Sequence, residues 1–198
     1  MARKHCTKIR NSTGVSMIEI LVTIVVLSIG LLGMAALQLT GMRSTNSATY
    51  RTQATLLAND IAERMRANID AVNENLYMNV DSASNINCGA FPATHCSEYY
   101  NAGAQAATAC TTAQMAAYDI NIWFCGVNSN GARAGGVQAA LPQAAATITC
   151  TDTNPTGGDV DPCTDRSPHT ITVSWSEINP DKSGADTVSQ SVSMTIQQ

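Results

Sequence analysis

Proline is missing from the chain until Pro92, so nothing before that point forces a break in a helix. Aromatic residues make up 5% of the 198 residues and charged residues 13%. A core poor in rings needs stability from another source. The three histidines, His5, His95 and His169, are far apart in sequence. Gly-x-Ser-x-Gly, His-Glu-x-x-His and phosphate-loop patterns are all absent. These absences argue against an enzyme, and no cofactor is expected. Basic clusters are lacking beyond residue 10, whereas phosphate contacts require grouped Lys and Arg. A nucleic-acid partner is therefore excluded. Arg43, Arg51, Arg64 and Arg66 are spread along one stretch and read as ion-pair partners.

What is present begins at Thr13-Gly14-Val15-Ser16-Met17-Ile18-Glu19. A basic leader ends in glycine, a lone carboxylate stands five residues later, and the apolar run Ile20–Leu39 follows. A bilayer core takes about 20 apolar residues as helix, so the run is long enough to span. A carboxylate there costs about 2.5–3.5 kcal/mol at mid-membrane and less near its edge, so Glu19 needs a reason. Arg3, Lys4, Lys8 and Arg10 orient the short flank inward by the positive-inside rule. Ordinary secretory signals end in a small-residue cleavage site behind an apolar core of 7–15 residues. Here the run is longer and closes on Leu37-Gln38-Leu39-Thr40-Gly41. A plain signal anchor with an incidental Glu19 is the other alternative.

The leader pattern resembles that of type IV prepilins and pseudopilins, which are cut after the glycine by a prepilin peptidase. The rest of the chain follows the same order. A helix is expected from about Val15 to about Asn75, about 60 residues or about 90 Å. Its second half carries a stripe at Leu57, Ile61, Met65, Ile69, Val72 and Leu76 with helical period. Asp60 with Arg64, and Glu63 with Arg66, can pair on the other face. Residues 79–110 read as disulfide-tied loop. Thr111 to Gln114 matches a capping box opening a short helix that ends near Trp123, and 126–136 reads as glycine-rich loop. Alternation predicts strands over 144–150, 169–176 and 188–196, with a hairpin loop between the last two. The predicted class is α+β: a long N-terminal helix packed on a C-terminal antiparallel sheet.

Ser28-Ile29-Gly30-Leu31-Leu32-Gly33, Asp60 through Asn68, Ala117-Tyr118-Asp119…Trp123, Leu141-Pro142 and Ile171-Thr172-Val173-Ser174-Trp175 resemble minor pilins of the PilV type. Where major pilins carry a proline in the membrane segment, this chain has Ala36. The domains implied are a cytoplasmic leader (1–14), a transmembrane and assembly helix (15–41), its amphipathic continuation (42–76) and a disulfide-bonded pilin head (77–198). The resemblance implies cleavage between Gly14 and Val15, N-methylation of Val15, and pairing of Glu19 with the Val15 amine of a neighbouring subunit. Implied partners are the prepilin peptidase, other minor pilins, the major pilin, the inner-membrane assembly platform and the lipid bilayer. The location implied is the inner membrane, single-pass with the N-terminus in the cytoplasm, and then the pilus. The alternatives are a type II secretion pseudopilin and an anchored adhesin that never polymerises.

Loss of the leader removes four of eleven basic residues and no acidic one, leaving seven against fifteen and a net charge of −8. It also removes Cys6. Cys88, Cys96, Cys110, Cys125, Cys150 and Cys163 remain, an even set that reads as disulfides outside the cytoplasm. Sequence does not choose among their pairings; taking neighbours gives 88–96, 110–125 and 150–163 as the expectation. Zinc is disfavoured by the absence of a Cys-x-x-Cys pair, and His95 is expected at the surface. Asp152, Asn154, Asp159 and Asp161 form a weak calcium candidate that opens like an EF-hand, but Cys163 stands where a bidentate Glu is needed.

Overall fold

The first helix, α1, spans Met17–Ala67 without interruption, as the run without proline allows. The structure is a computed structural model and describes residues 14–97, 108–127, 133–153, 163, 167–179 and 186–197. By contacts the chain falls into two units, residues 1–45 and 46–198. In the first, the backbone N–H groups of Glu19 and Ile20 donate to the Ser16 carbonyl at 3.0 and 3.3 Å and start the helix.

In the second unit, α1 from Asn46 onward buries Ala54, Ala58, Ile61, Ala62 and Met65. Three of those five buried residues are alanines. Opposite ion pairs form as the sequence suggests, Arg64 to Asp60 at 3.2 Å and Arg66 to Glu63. Exposed pairs of this kind are worth about 0.2–1 kcal/mol. Each fully buried Ile, Met or Val contributes about 1.5–3 kcal/mol, so packing holds the helix in place and the pairs are secondary.

The helix ends earlier than its apolar stripe predicts. At Asn68 the backbone leaves helical geometry (φ −121°, ψ 58°), and a second short helix, α2, covers Ile69–Asn73. The Asn68 side chain donates to the Thr112 carbonyl at 3.2 Å and to the Tyr77 hydroxyl at 3.4 Å. Those bonds replace a further turn of helix. The break shifts the phase, which is why Ile69 is 40% exposed while Met65 and Val72 are buried.

Helix α3, Thr112–Cys125, opens on the expected capping box: Thr111 Oγ1 accepts from the Gln114 N–H and Gln114 Oε1 accepts from the Thr111 N–H. It runs two residues past Trp123 and stops at Gly126, whose φ is +67°. A Cβ at Gly126 would lie 2.3 Å from the Gly135 carbonyl carbon, so only glycine fits this contact. A short helix, α4 (Gly136–Ala140), follows within what the sequence suggests is loop and its margin.

The sheet has order β1-β2-β3-β4, all antiparallel: Val80–Asp81, Ala145–Cys150, His169–Ile178 and Thr187–Ile196. Three of these strands are the expected ones. β1, two residues long, lies in the stretch read as loop. Ile171, Val173 and Trp175 of β3, with Ala146 and Ile148 of β2, join the α1 residues, Tyr77 and Trp123 in one core cluster. The Trp123 indole N–H donates to the Leu57 carbonyl at 2.8 Å, so its burial leaves no orphan donor. The α+β class read from the sequence is thus what the structure shows.

Two of the three expected cysteine pairs are corrected. The bonds are Cys88–Cys125, Cys96–Cys110 and Cys150–Cys163, with Cα separations of 5.3, 5.5 and 6.3 Å. Cys110 and Cys125 flank opposite ends of α3, about 20 Å apart at helical rise, far beyond the roughly 7 Å a disulfide tolerates. Asn121 on the last turn of α3 donates to the Asn87 carbonyl at 3.1 Å and brings Cys88 alongside Cys125. Only 150–163 stands as expected. Peptide mapping without reduction should join the Cys88 and Cys125 peptides. The Cys88→Ser, Cys125→Ser double variant should lose about 2–4 kcal/mol of stability in a denaturant titration.

Candidate assembly site

Glu19 sits in the first turn of α1, where a carboxylate is favoured by the helix dipole. It is the one charged side chain between Met17 and Met42. It is exposed, and among the described residues it has no ion-pair partner. The hydroxyls around it are satisfied within the helix: Thr23 donates to the Ile20 carbonyl at 2.8 Å, Ser28 to Ile24 at 2.7 Å and Thr40 to Ala36 at 3.1 Å. Such back-bonding is how hydroxyls are accommodated in lipid. Glu19 has no comparable route.

The apolar residues of this segment are open as well. Val15, Leu21, Val26, Leu31 and Leu37 are all 61–76% exposed, and at Gly30, Gly33 and Gly41 an added Cβ would meet nothing within 4 Å. The helix is long and apolar enough to cross a membrane, with a mean hydropathy of 2.7 over its best 18-residue window. Gly14 and Val15 precede the helix and are exposed. The leader residues Arg3, Lys4, Cys6, Lys8 and Arg10 lie outside the described residues.

In the second unit the structure assembles a polar cluster that sequence reasoning missed. Asp119, 7% exposed on α3, accepts from Arg64 Nη1 at 3.1 Å and from the Tyr77 hydroxyl at 2.8 Å. Tyr77 in turn accepts from Asn68. Burial, opposed by the Asn68 bond and reinforced by the bond to Asp119, pushes the Tyr77 hydroxyl well above its usual range and keeps it a donor. The cluster ties the end of α1, the turn after α2, and α3 together. A signal was available: Asp119 lies four residues from both Met115 and Trp123, on a face otherwise meant for burial.

The remaining candidates are dispersed. His95 is half-buried, with its ring centroid 6.2 Å from that of Phe91. Of the calcium residues, Asp152 is half-buried, and Asn154, Asp159 and Asp161 lie outside the described residues. His169 is 4% exposed at the start of β3, paired in register with Cys150 on one side and Ile196 on the other.

A family model described as Tt1218-like, type IV pilin Tt1218, matches residues 36–121. Over that stretch the chain is similar to a type IV pilin. The matched residues run from the last turns of the apolar segment through α1 and α2 to α3 and hold the whole Arg64–Asn68–Tyr77–Asp119 cluster. That family is one of structural subunits. Comparison with curated proteins and with solved structures gives no match.

His169 gives this chain a testable pH response. Nδ1 lies 3.1 Å from the Ser167 carbonyl and so carries the proton, while Nε2 is buried without a partner. Burial lowers its pKa from 6.5, and the Ser167 bond offsets this only partly. The unfolded chain therefore takes up a proton at 6.5 while the folded chain resists it. Stability is full above that pH and falls as the pH drops below it, at up to about 1.4 kcal/mol per pH unit for one proton. The His169→Gln variant should lack this component in denaturant titrations between pH 7 and about 5.

Proposed function

We propose that the chain is a minor subunit of a type IV pilus, of the PilV type. The observation that carries this reading is a pilin match that starts inside an apolar helix whose approach is Gly14, Val15 and, in the first turn, Glu19. In this reading residues 1–14 are a cytoplasmic leader. Residues 15–41 hold the precursor in the inner membrane as a single pass with the N-terminus inside. Residues 42–76 continue the helix, and 77–198 form the disulfide-bonded head outside. The prepilin peptidase cleaves after Gly14 and methylates Val15. The assembly platform then admits the subunit to a fibre with other minor pilins and the major pilin, which it initiates or decorates. Adhesion and twitching are the downstream consequences.

The physics of entry rests on Glu19. Alone in hydrocarbon its charge costs about 2.5–3.5 kcal/mol at mid-depth. An opposite charge at about 4 Å gives about 4 kcal/mol at an effective dielectric constant near 20. The free amine of Val15 on a neighbouring subunit would therefore offset the cost, and only at the correct axial register.

Glu19→Ala should leave the amount of precursor in the inner membrane unchanged while the protein disappears from sheared pili. Wild-type incorporation of the variant would contradict the reading. Intact pili with impaired protein secretion in a deletion strain would move the chain to a secretion pseudopilus.

A further inference from the structure

We infer that Arg43 binds the phosphate of a phospholipid at the outer face of the inner membrane and so sets the depth of α1 in the bilayer. The inference rests on the membrane reading above and adds to it the group that fixes the helix along its axis. Arg43 stands 24 positions after Glu19, with no charged residue between them. At helical rise that separation is about 36 Å. A bilayer is about 30 Å thick in its hydrocarbon core and about 40–45 Å thick with its headgroup layers. With the Glu19 carboxylate at one edge of the core, Arg43 therefore stands among the phosphates of the other side. The uncharged stretch is longer than the core, so hydrophobic length alone leaves the helix free to slide or tilt.

Other anchors are lacking. Trp, Tyr, Lys and Arg hold helix ends at membrane interfaces, and no aromatic residue occurs before Tyr50. The four leader cations lie at the opposite end and, in the proposed reading, leave with the leader. Arg43 is then the one cationic side chain between Val15 and Tyr50. It is exposed, and among the described residues it takes part in no ion pair. Its own helix offers no carboxylate within reach, since the next acidic residue is Asp60, about 25 Å further along. The charge is thus left for an anion outside the chain, and its height in the bilayer makes that anion lipid phosphate. A guanidinium engages two phosphate oxygens at once. Glu19 and Arg43 then pull in opposite directions, one towards cytoplasmic water and the other towards the outer phosphates. The balance keeps Glu19 at the membrane edge, where its charge costs least, until a neighbour is met.

The test is labelling of single introduced cysteines by a membrane-impermeant maleimide in the full-length Cys6→Ser chain. The chain is reconstituted at low density in vesicles of phosphatidylethanolamine and phosphatidylglycerol, and labelling is read relative to Thr55→Cys. Val26→Cys is expected to be protected and Ser44→Cys to be labelled. Adding Arg43→Gln leaves the pull towards the cytoplasmic side unopposed. The protected stretch should then extend by about one turn, about 5 Å, and labelling at Ser44→Cys should fall severalfold. Arg43→Lys should restore it. The chain with Arg43 intact, in vesicles of digalactosyldiacylglycerol, which has no phosphate, should behave like Arg43→Gln. An unchanged boundary in Arg43→Gln would overturn the inference. So would a boundary that moves in that variant but not in the glycolipid, because the partner is then not lipid phosphate. Labelling of Val26→Cys as full as that of Thr55→Cys would overturn the membrane reading itself, and the inference with it.

Discussion

The apolar side chains from Met17 to Leu39 stand exposed on α1, and water does not tolerate that state. At about 25 cal/mol per Å² of apolar surface, such a segment is driven into lipid or against other apolar helices. Its hydroxyls already bond back to the helix, so both environments accept it as it stands. Glu19 is the exception, and in the proposed reading it converts a simple anchor into a segment that discriminates between surroundings. Bare lipid penalises it, and a neighbour offering a positive charge at the right height removes the penalty. On that proposal one chain resides in a membrane first and joins a helical assembly afterwards.

The second unit solves a different problem, that of building a core with few rings. Alanines make up much of the buried face of α1, and both tryptophans are nearly fully buried. Three disulfides secure the loops around α3 and the mouth of β2. Asp119 is the costliest group in the core. Taking one ion of such a pair away strands the other, so Arg64, Tyr77 and Asp119 stand or fall together. That all three fall within the pilin match suits a role in fixing how α1 meets α3.

Much of this was legible in the residues because it depends on period and local chemistry. The alternation of Ile171, Val173 and Trp175 located β3, and Thr111 with Gln114 located the start of α3. The end of α1 was not legible, since it is decided by where the Asn68 amide finds the Thr112 carbonyl, 44 residues away. The stripe through Ile69 continued on paper past a break set by tertiary contact. Asp119 was hidden for the same reason: its partners Arg64 and Tyr77 come from other elements. The disulfide pairing was partly within reach. A helix between Cys110 and Cys125 already placed them too far apart to bond, and geometry alone ruled that pair out. Glu19 was singled out from local sequence and lies in the first turn of α1; the partner proposed for it would belong to another chain.

The central claim is that the apolar half of α1 is kept, freed of its leader, and used for assembly. Intact-mass analysis of the subunit recovered from sheared native fibres tests it most directly. The account predicts a chain beginning at a methylated Val15. A chain still beginning at Met1, or one trimmed beyond Leu39, would contradict it.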